Sequence, residues 1–346
     1  MPDCVREKMK ILVTAVGGDL GQSIVKTLLL SRIASEIIGS DINSGGSGAN
    51  FVGRFHPLPP ATKALAYKKT LNNLCRKKKV DIVIPSSEIE IWTLSKMFPR
   101  LVLPCGTKIL VQQFSWLSIY GDKLKCMRAL LGKIDLHAFT DGSNKEDVAR
   151  LVKKTGFPLV VKPRQLSGSR SIYIAKNRKE LDFFVKKVHS PIVQEYLDDS
   201  GGEFSVGAFV CDRFTELISF KRRLGSVGCT WFAELDQDQD VLAYSQKLAR
   251  LARLRGAANF QLRKTTKGVR LLEINPRFSS LVAARAMAGF TDLEWSIRDR
   301  FQLPLVKPIR PYRAMRFQRF FHELVDFGKG YRPQFDFNQK GVLSLL

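Results

Sequence analysis

Residues 256–280, GAANFQLRKTTKGVRLLEINPRFSS, constrain this chain more than any other stretch. Two extended runs, 257–263 and 269–274, flank a polar turn at 264–268, a pattern that predicts a β-hairpin with a longish loop. Side chains alternate along a strand, so Glu273 and Asn275 share a face, and Gln261 on the partner strand can join them. One carboxylate and two amide oxygens suit a hard cation such as Mg²⁺ that takes its other ligands from water and phosphate. Arg277, two residues on, carries a guanidinium fork that fits phosphate oxygens. Alone, Glu-x-Asn reads equally well as a solvated acid on an edge hairpin.

With 346 residues, 45% of them hydrophobic, the chain has material for two or three lobes. No apolar run reaches the roughly 18 residues of a membrane span. The first nine residues read as a loose leader and lack the apolar stretch and cleavage site of a signal peptide. Six cysteines without a CxxC pair or zinc spacing fit a reducing cytoplasm. A net charge of +24 attracts anions of every kind, nucleotides and nucleic acid included. Its densest run, residues 76–79, ends an expected helix, where cations favour the dipole. No zinc finger, RNP-like aromatic motif or helix-turn-helix accompanies it, which disfavours nucleic acid as the partner.

Residues 10–16 (KILVTAV) predict a buried strand, and Gly17-Gly18-Asp-Leu-Gly21 opens a helix. A strand over 36–42, an extended piece over 54–58, a helix over 63–78, a strand over 81–85, a helix over 88–98 and a strand over 101–104 follow. Such alternation implies a parallel sheet covered by helices on both faces. The glycine loop and Asp41 imitate a dinucleotide fingerprint, but Val16 stands where the first glycine belongs. A small-substrate crevice at the carboxyl ends of the strands is the stronger reading. Ser86, Ser87, Glu88 and Glu90 follow the strand DIVIP at such an end. Either acid can bind an amine there, or Glu88 can simply favour a helix N-terminus.

Residues 107–131 are helical in pattern and contain Asp122-Lys123, and a helix over 144–155 ends at Gly156. Lys162 emerges from the apolar strand FPLVVKPR, either snorkelling or aimed at an anion. The small-residue turn behind it holds Ser167, Gly168 and Ser169, whose backbone N–H groups can cover phosphates, although ordinary hairpins look the same. In PIVQEYL, after a helix over 177–188, Glu195, Tyr196 and Leu197 offer backbone groups and an apolar wall to a flat purine. Glu203 can accept ribose hydroxyls, and Lys221, Arg222 and Arg223 cluster as a source of one more phosphate ligand. Further strands, over 204–210, 216–222 and 228–235, and a helix over 241–255 make an α+β lobe. In the tail, Phe317, Phe320, Phe321 and Leu324 fall at helix spacing, yet the same aromatics suit a strand.

An α/β lobe, Asp122-Lys123, VVKP with a small-residue turn, VQEYL, Glu203, NFQ and LLEINPRFS follow one another in an order that resembles the ATP-grasp superfamily. The nearest branch holds the carbamoyl-phosphate synthase large subunit and single-unit carboxylate–amine ligases. The resemblance covers about residues 10–300. It implies an α/β lobe with a parallel sheet over 1–115, then an α+β ATP-grasp fold with a small lobe over 116–190 and a metal-bearing large lobe over 191–303. Residues 304–346 form a C-terminal extension in this scheme. ATP and Mg²⁺, with Mn²⁺ as a substitute, are the implied cofactors. Lys123 and Lys162 would hold phosphates under Ser167, Gly168 and Ser169. Gln194, Glu195, Tyr196 and Leu197 would lie beside adenine, and Glu203 at the ribose. Gln261, Glu273 and Asn275 would hold the metal, and Arg277, Lys221 and Arg222 the reacting phosphoryl group. The implied substrates are a small-molecule carboxylate, amino-acid-like, and an amine, joined through an acyl phosphate. Two departures stand out: the covering loop is poor in glycine, and one unit disfavours carbamoyl-phosphate synthesis, which needs two. The alternatives are a nucleotide- or nicotinamide-binding module without ligase activity, resting on Gly17, Gly21 and Asp41, and a basic nucleic-acid binder. A homodimer is the default assembly.

Overall fold

The computed structural model of the chain describes residues 8–31, 33–44, 47–165, 171–225, 228–308, 310–320, 324–326 and 331–333. The chain forms two compact units, one of residues 1–111, 280–313 and 318–346, the other of residues 112–279 and 314–317.

The first unit is built on β1 (Met9–Thr14), whose Ile11, Leu12 and Val13 are fully buried. Such a run cannot present a polar face, so it takes a central place and is paired on both sides. β2 (Ala34–Ser40), β3 (Arg54–Phe55), β4 (Ile82–Pro85) and β5 (Lys108–Ile109) complete a parallel sheet of order β3-β2-β1-β4-β5. The helices α1 (Asp19–Ser31), α2 (Ala64–Lys78) and α3 (Glu88–Met97) connect them. α2 buries Tyr67, Leu71 and Cys75, one residue per turn, and leaves its lysines outside.

In the second unit α4 (Phe114–Tyr120) and α5 (Lys123–Leu130) precede an antiparallel sheet of order β6-β9-β7-β8. Its strands are β6 (Phe139–Asp141), β7 (Leu159–Pro163), β8 (Tyr173–Ala175) and β9 (Pro191–Glu195). α6 (Lys145–Thr155) and α7 (Arg178–Lys187) begin at Asn144 and Asn177, whose side chains accept from the first free N–H groups. Their Val148, Leu151 and Leu181 form a core with Leu159, Val161 and Val193. A second sheet holds β10 (Gly202–Val210), β11 (Thr215–Leu224), β12 (Thr230–Leu235), β13 (Gly256–Thr265), β14 (Gly268–Asn275) and β15 (Arg316–Gln318), in the order β14-β13-β10-β11-β12-β15. One of its faces buries Phe204, Val206, Phe260, Leu262 and Leu271 against Val241 and Leu248 of α8 (Gln239–Leu251) and Leu124 and Met127 of α5. Each such side chain contributes about 1.5–3 kcal/mol on leaving water.

The chain then returns to the first unit with α9 (Val282–Met287) and α10 (Asp292–Arg300), joined by a buried Arg285–Asp292 ion pair at 2.9 Å. β16 (Leu324–Asp326) and β17 (Tyr331–Pro333) pair antiparallel. Three expectations change. Residues 101–104 form no strand, only an isolated bridge from Val102 to Lys108. Residues 107–131 open with β5 before their helices. The aromatic tail resolves as the short strands β15 and β16; Phe321 and the expected leader's residues 1–7 lie outside the described residues.

Candidate active site

In the second unit the hairpin β13–β14 has the expected cross-strand pairing, Gln261 opposite Glu273 and Asn259 opposite Asn275. Paired residues point to one side of a sheet, which places Gln261, Glu273 and Asn275 on the face away from α8. The pairing continues into β10 and β11 through Arg263–Glu203 and Glu203–Arg222. Glu203, Arg222 and Arg263 therefore stand on the same face.

Two lysines converge on Glu273. Asp122 caps α5 by accepting from the N–H groups of Leu124 and Lys125, and Arg164 donates to both of its oxygens at 3.1 and 2.9 Å. That clamp fixes the start of α5, from which Lys123 reaches Glu273 Oε2 at 3.0 Å. Asn275 Nδ2 donates to Glu273 Oε1, also at 3.0 Å. Lys162 follows Val160 by two on β7, on the face opposite Leu159 and Val161, and its Nζ donates to the Leu272 carbonyl at 3.3 Å. Burial alone would push the Glu273 carboxyl up, but Lys123 and Lys162 outweigh it and hold it at about 2. Burial and the charge of Lys123 push Lys162 down to about 8.

Glu203 Oε1 accepts from Arg222 at 2.6 and 3.0 Å, and Oε2 from Arg263 at 2.8 Å. These cations keep its carboxyl below the usual range, although burial opposes them. Arg263 also donates to the Leu197 carbonyl at 3.2 Å, which ties the segment after β9 to the hairpin. Two carboxylates, Glu203 and Glu273, thus face four cations in a largely desolvated place. Buried charge of one sign requires a counter-charge. The arrangement suits an anion.

Several expected residues occupy other positions. Lys221 is opposite Phe204 in the register, on the other face of the sheet from Arg222, and is exposed, so strand alternation separates the two as one catalytic pair. Arg222 is buried and bonded to Glu203 and Thr230. Both oxygens of Glu203, expected at a ribose, are already engaged by arginines. Glu195 Oε2 accepts from the Ala138 N–H at 3.0 Å, and Oε1 lies 3.5 Å from Lys267 Nζ. Tyr196 and Leu197 follow on the segment that leaves β9. Gln194 is buried in β9 opposite Val160, on the same face as Lys162. Arg277 is half-buried and donates to the Phe278 carbonyl. Ser167, Gly168 and Ser169 lie outside the described residues. Sequence reasoning missed the clamping roles of Arg164 and Arg263; the latter's place two residues after Gln261 on one strand was the available signal.

The three ligand oxygens proposed for a cation are hard donors, and Glu273 remains ionised, so the set fits Mg²⁺ or Mn²⁺ as a partial shell completed by phosphate and water. Among the described residues no cluster of three or more His, Cys, Asp or Glu offers an alternative metal site.

The glycine loop of the first unit is closed from within. Asp41 accepts from the Gly17 N–H at 2.9 Å, and a Cβ on Gly48 would lie 2.4 Å from the same nitrogen. The position where a pyrophosphate would approach is taken by the chain itself. Glu90 is a core acid: it accepts from Thr14 at 2.7 Å and Tyr67 at 2.8 Å, and burial pushes its carboxyl up. Its oxygens are thus committed to neighbours, whereas Glu88 sits in the first turn of α3.

Residues 187–319 match a family model described as ATP-grasp in the biosynthetic pathway with Ter operon. The chain is similar to N5-carboxyaminoimidazole ribonucleotide synthetase from Thermus thermophilus, with a TM-score of 0.70 and 14% identity over 94% of this chain and 91% of that one. It is similar to the biotin carboxylase–β-γ-ATP complex from Campylobacter jejuni, with a TM-score of 0.69 and 13% identity over 87% of this chain and 73% of that one. A further similar structure is the biotin carboxylase domain dimer of 2-oxoglutarate carboxylase from Hydrogenobacter thermophilus, bound to MgADP, with a TM-score of 0.68 and 14% identity over 86% and 71%. Identities this low establish a shared fold.

Proposed function

We propose that this chain, which has the ATP-grasp fold, is an ATP-dependent ligase that joins a small carboxylate to an amine. The observation that carries the reading is the excess of buried cations around Glu273 and Glu203 on one sheet face. A triphosphate supplies the missing negative charge. Lys123 and Lys162 would neutralise its oxygens. Gln261, Glu273 and Asn275 would hold Mg²⁺, whose charge offsets that of the phosphates when bound. Arg277 would meet the phosphoryl group, and the backbone of Glu195, Tyr196 and Leu197 the base. Residues 116–190 would act as the lobe that covers the nucleotide.

In this reading the substrate carboxylate oxygen attacks the γ-phosphorus, the bond to the β–γ bridging oxygen breaks, and ADP leaves. The amine then attacks the acyl carbon, loses a proton, and displaces inorganic phosphate. The protein positions the groups and neutralises charge, which is most of what phosphoryl transfer requires. Two likenesses support the class: the solved neighbours named above are a synthetase and two biotin carboxylases, and the two carboxylases hold a nucleotide. The test is ADP release with Mg²⁺ and ATP against pooled amino acids and other small acids, each with pooled amines. Release that rises only when both substrates are present supports the ligase. Absence of ATP binding, or ADP release indifferent to every pool, would overturn it.

A further inference from the structure

In the first unit, the last turn of α2 and the turn that precedes β5 hold two thiols against one hydroxyl. Cys75 is buried on the inner stripe of α2, and Cys105 is half-buried and packs against the same core cluster. The Cys105 N–H donates at 3.0 Å to Oδ1 of Asn72, which lies about one turn before Cys75 on that helix. Thr107 Oγ1 donates its proton to the Val80 carbonyl at 2.8 Å, and its oxygen lies 3.3 Å from Cys105 Sγ. With that proton committed, the hydroxyl accepts, so the Cys105 thiol is the donor to it. The Cys75 thiol is in hydrogen-bonding contact with the same Thr107 side chain and interacts with the Cys105 sulfur. Gly106 closes the turn between the two partners by donating to the Leu103 carbonyl at 2.9 Å. Burial pushes the Cys75 thiol up to about 12, so it keeps its proton, and Cys105 is the more accessible sulfur of the two. β4 and β5 begin beside this turn, which places it at the amino ends of the strands, away from the crevice.

Independently of the nucleotide reading, we propose that Cys75 and Cys105 are a hydroperoxide-responsive dithiol that closes to a disulfide and staples α2 to the turn before β5. The Cys105 sulfur, its proton released to solvent, attacks the terminal peroxide oxygen. The O–O bond breaks, the remaining oxygen takes a proton and leaves as an alcohol, or as water from hydrogen peroxide, and Cys105 becomes a sulfenic acid. The Cys75 sulfur then attacks the Cys105 sulfur. The S–S bond forms, the S–O bond breaks, and the hydroxide leaves as water with the proton of Cys75. Two thiols have lost two hydrogens and the peroxide has been reduced. Accessibility sets the order of events: the half-buried sulfur meets the oxidant, and the buried one resolves the product. A small dithiol reverses the reaction by exchange.

The test treats the reduced, folded full chain with hydrogen peroxide, digests it in acid without reductant, and maps the cysteine peptides by mass. Wild type should give a peptide pair that links Cys75 to Cys105, lighter by two hydrogens than its parts, and dithiothreitol should separate it. Cys105→Ser should leave Cys75 unmodified, because no sulfenic acid forms for it to attack. In Cys75→Ala the Cys105 sulfenic acid has no resolving thiol, so dimedone should trap at least about tenfold more of it than in wild type, which two thiols merely packed together would not produce. Should Cys75→Ala fail to fold, the wild-type map and Cys105→Ser, altered at the half-buried position, decide the matter. Absence of the linked pair, its formation only in urea, Cys105 linked instead to another cysteine, oxidation of Cys75 that persists in Cys105→Ser, or equal trapping in wild type and Cys75→Ala would each overturn the inference.

Discussion

Replacing Lys162 by methionine separates the cost of burying its ammonium from what that ammonium does for a nucleotide. The side chain is 7% exposed and its pKa is lowered from 10.5 to about 8, chiefly by burial. At 1.36 kcal/mol per unit, the folded protein carries a penalty of roughly 3 kcal/mol for holding the charge. Methionine keeps the stem packing and removes the penalty. It also forfeits the bond to the Leu272 carbonyl, about 1 kcal/mol, while the attraction of Glu273 is already contained in the lowered pKa. The variant without nucleotide should therefore be more stable by about 2 kcal/mol, a rise of about 3 °C in melting temperature for a chain of this length. The sign also shows in pH. Unfolded lysine keeps its proton up to 10.5 while the folded one releases it near 8, so wild-type stability should climb between those values and that of Lys162→Met should not. Affinity for ATP should move the other way, falling about ten- to a hundredfold for one lost charge-assisted contact. Thermal melts without nucleotide and ATP titrations of ADP release make the measurement. A variant that melts well below wild type and binds ATP normally would refute the reasoning and make Lys162 a structural strut.

Glu273→Gln should lower turnover at least about a hundredfold with the fold retained, and Asn275→Ala should weaken metal use less, as read from ADP release across a Mg²⁺ series; near-normal turnover of Glu273→Gln would contradict the metal assignment. His137 is held neutral, lowered from 6.5 to about 3 by burial, so acidification through 6.5 favours the unfolded chain, which gains the proton the folded one refuses. At pH 5 this costs about 2 kcal/mol, and urea midpoints at pH 5 and pH 8 should lie closer together in His137→Phe than in wild type; equal separation would refute it. Asp292→Asn leaves Arg285 buried without its counter-charge and should cost about 3–5 kcal/mol in urea unfolding, and a loss below about 1 kcal/mol would show that the pair contributes little.

The parallel sheet of the first unit was legible because its strands are continuous apolar runs separated by helices of ordinary length. KILVTAV and DIVIP can only be buried on both sides, and both lie at the centre of the sheet. The hairpin was legible too, since Glu273, Asn275 and Gln261 are related by strand alternation alone. Lys221 and Arg222 were adjacent in sequence and were read as one cluster, but the same alternation that unites Glu273 and Asn275 separates neighbours. The arginine clamp on Glu203 went unseen for a related reason: its members come from β10, β11 and β13 and meet only when the antiparallel register is known. Residues 101–104 look like a strand by composition, yet the sheet takes its edge from Lys108 and Ile109 instead, so tertiary pairing overrode local preference.

What no periodicity could reveal is the irregularity that brings the two sheets of the second unit to one place. Gln261 faces Glu273 and Leu262 faces Leu271, so Leu272 stands opposite no residue of β13. A bulge of this kind bends its strand and leaves the extra residue unpaired in the ladder. Here the extra residue's carbonyl accepts from Lys162, which belongs to the other sheet, while the next side chain, Glu273, accepts from Lys123 at the start of α5. One inserted residue thus brings a backbone acceptor and a carboxylate within reach of two lysines from different elements. Deleting Leu272 would leave Gln261 opposite Glu273 and Leu262 opposite Leu271 in regular pairing, with each side chain on its present face, and would remove the carbonyl that Lys162 reaches. The bond that ties Lys162 of one sheet to the hairpin of the other therefore rests on a departure from the regular strand pattern, and regular patterns are all that a single sequence displays.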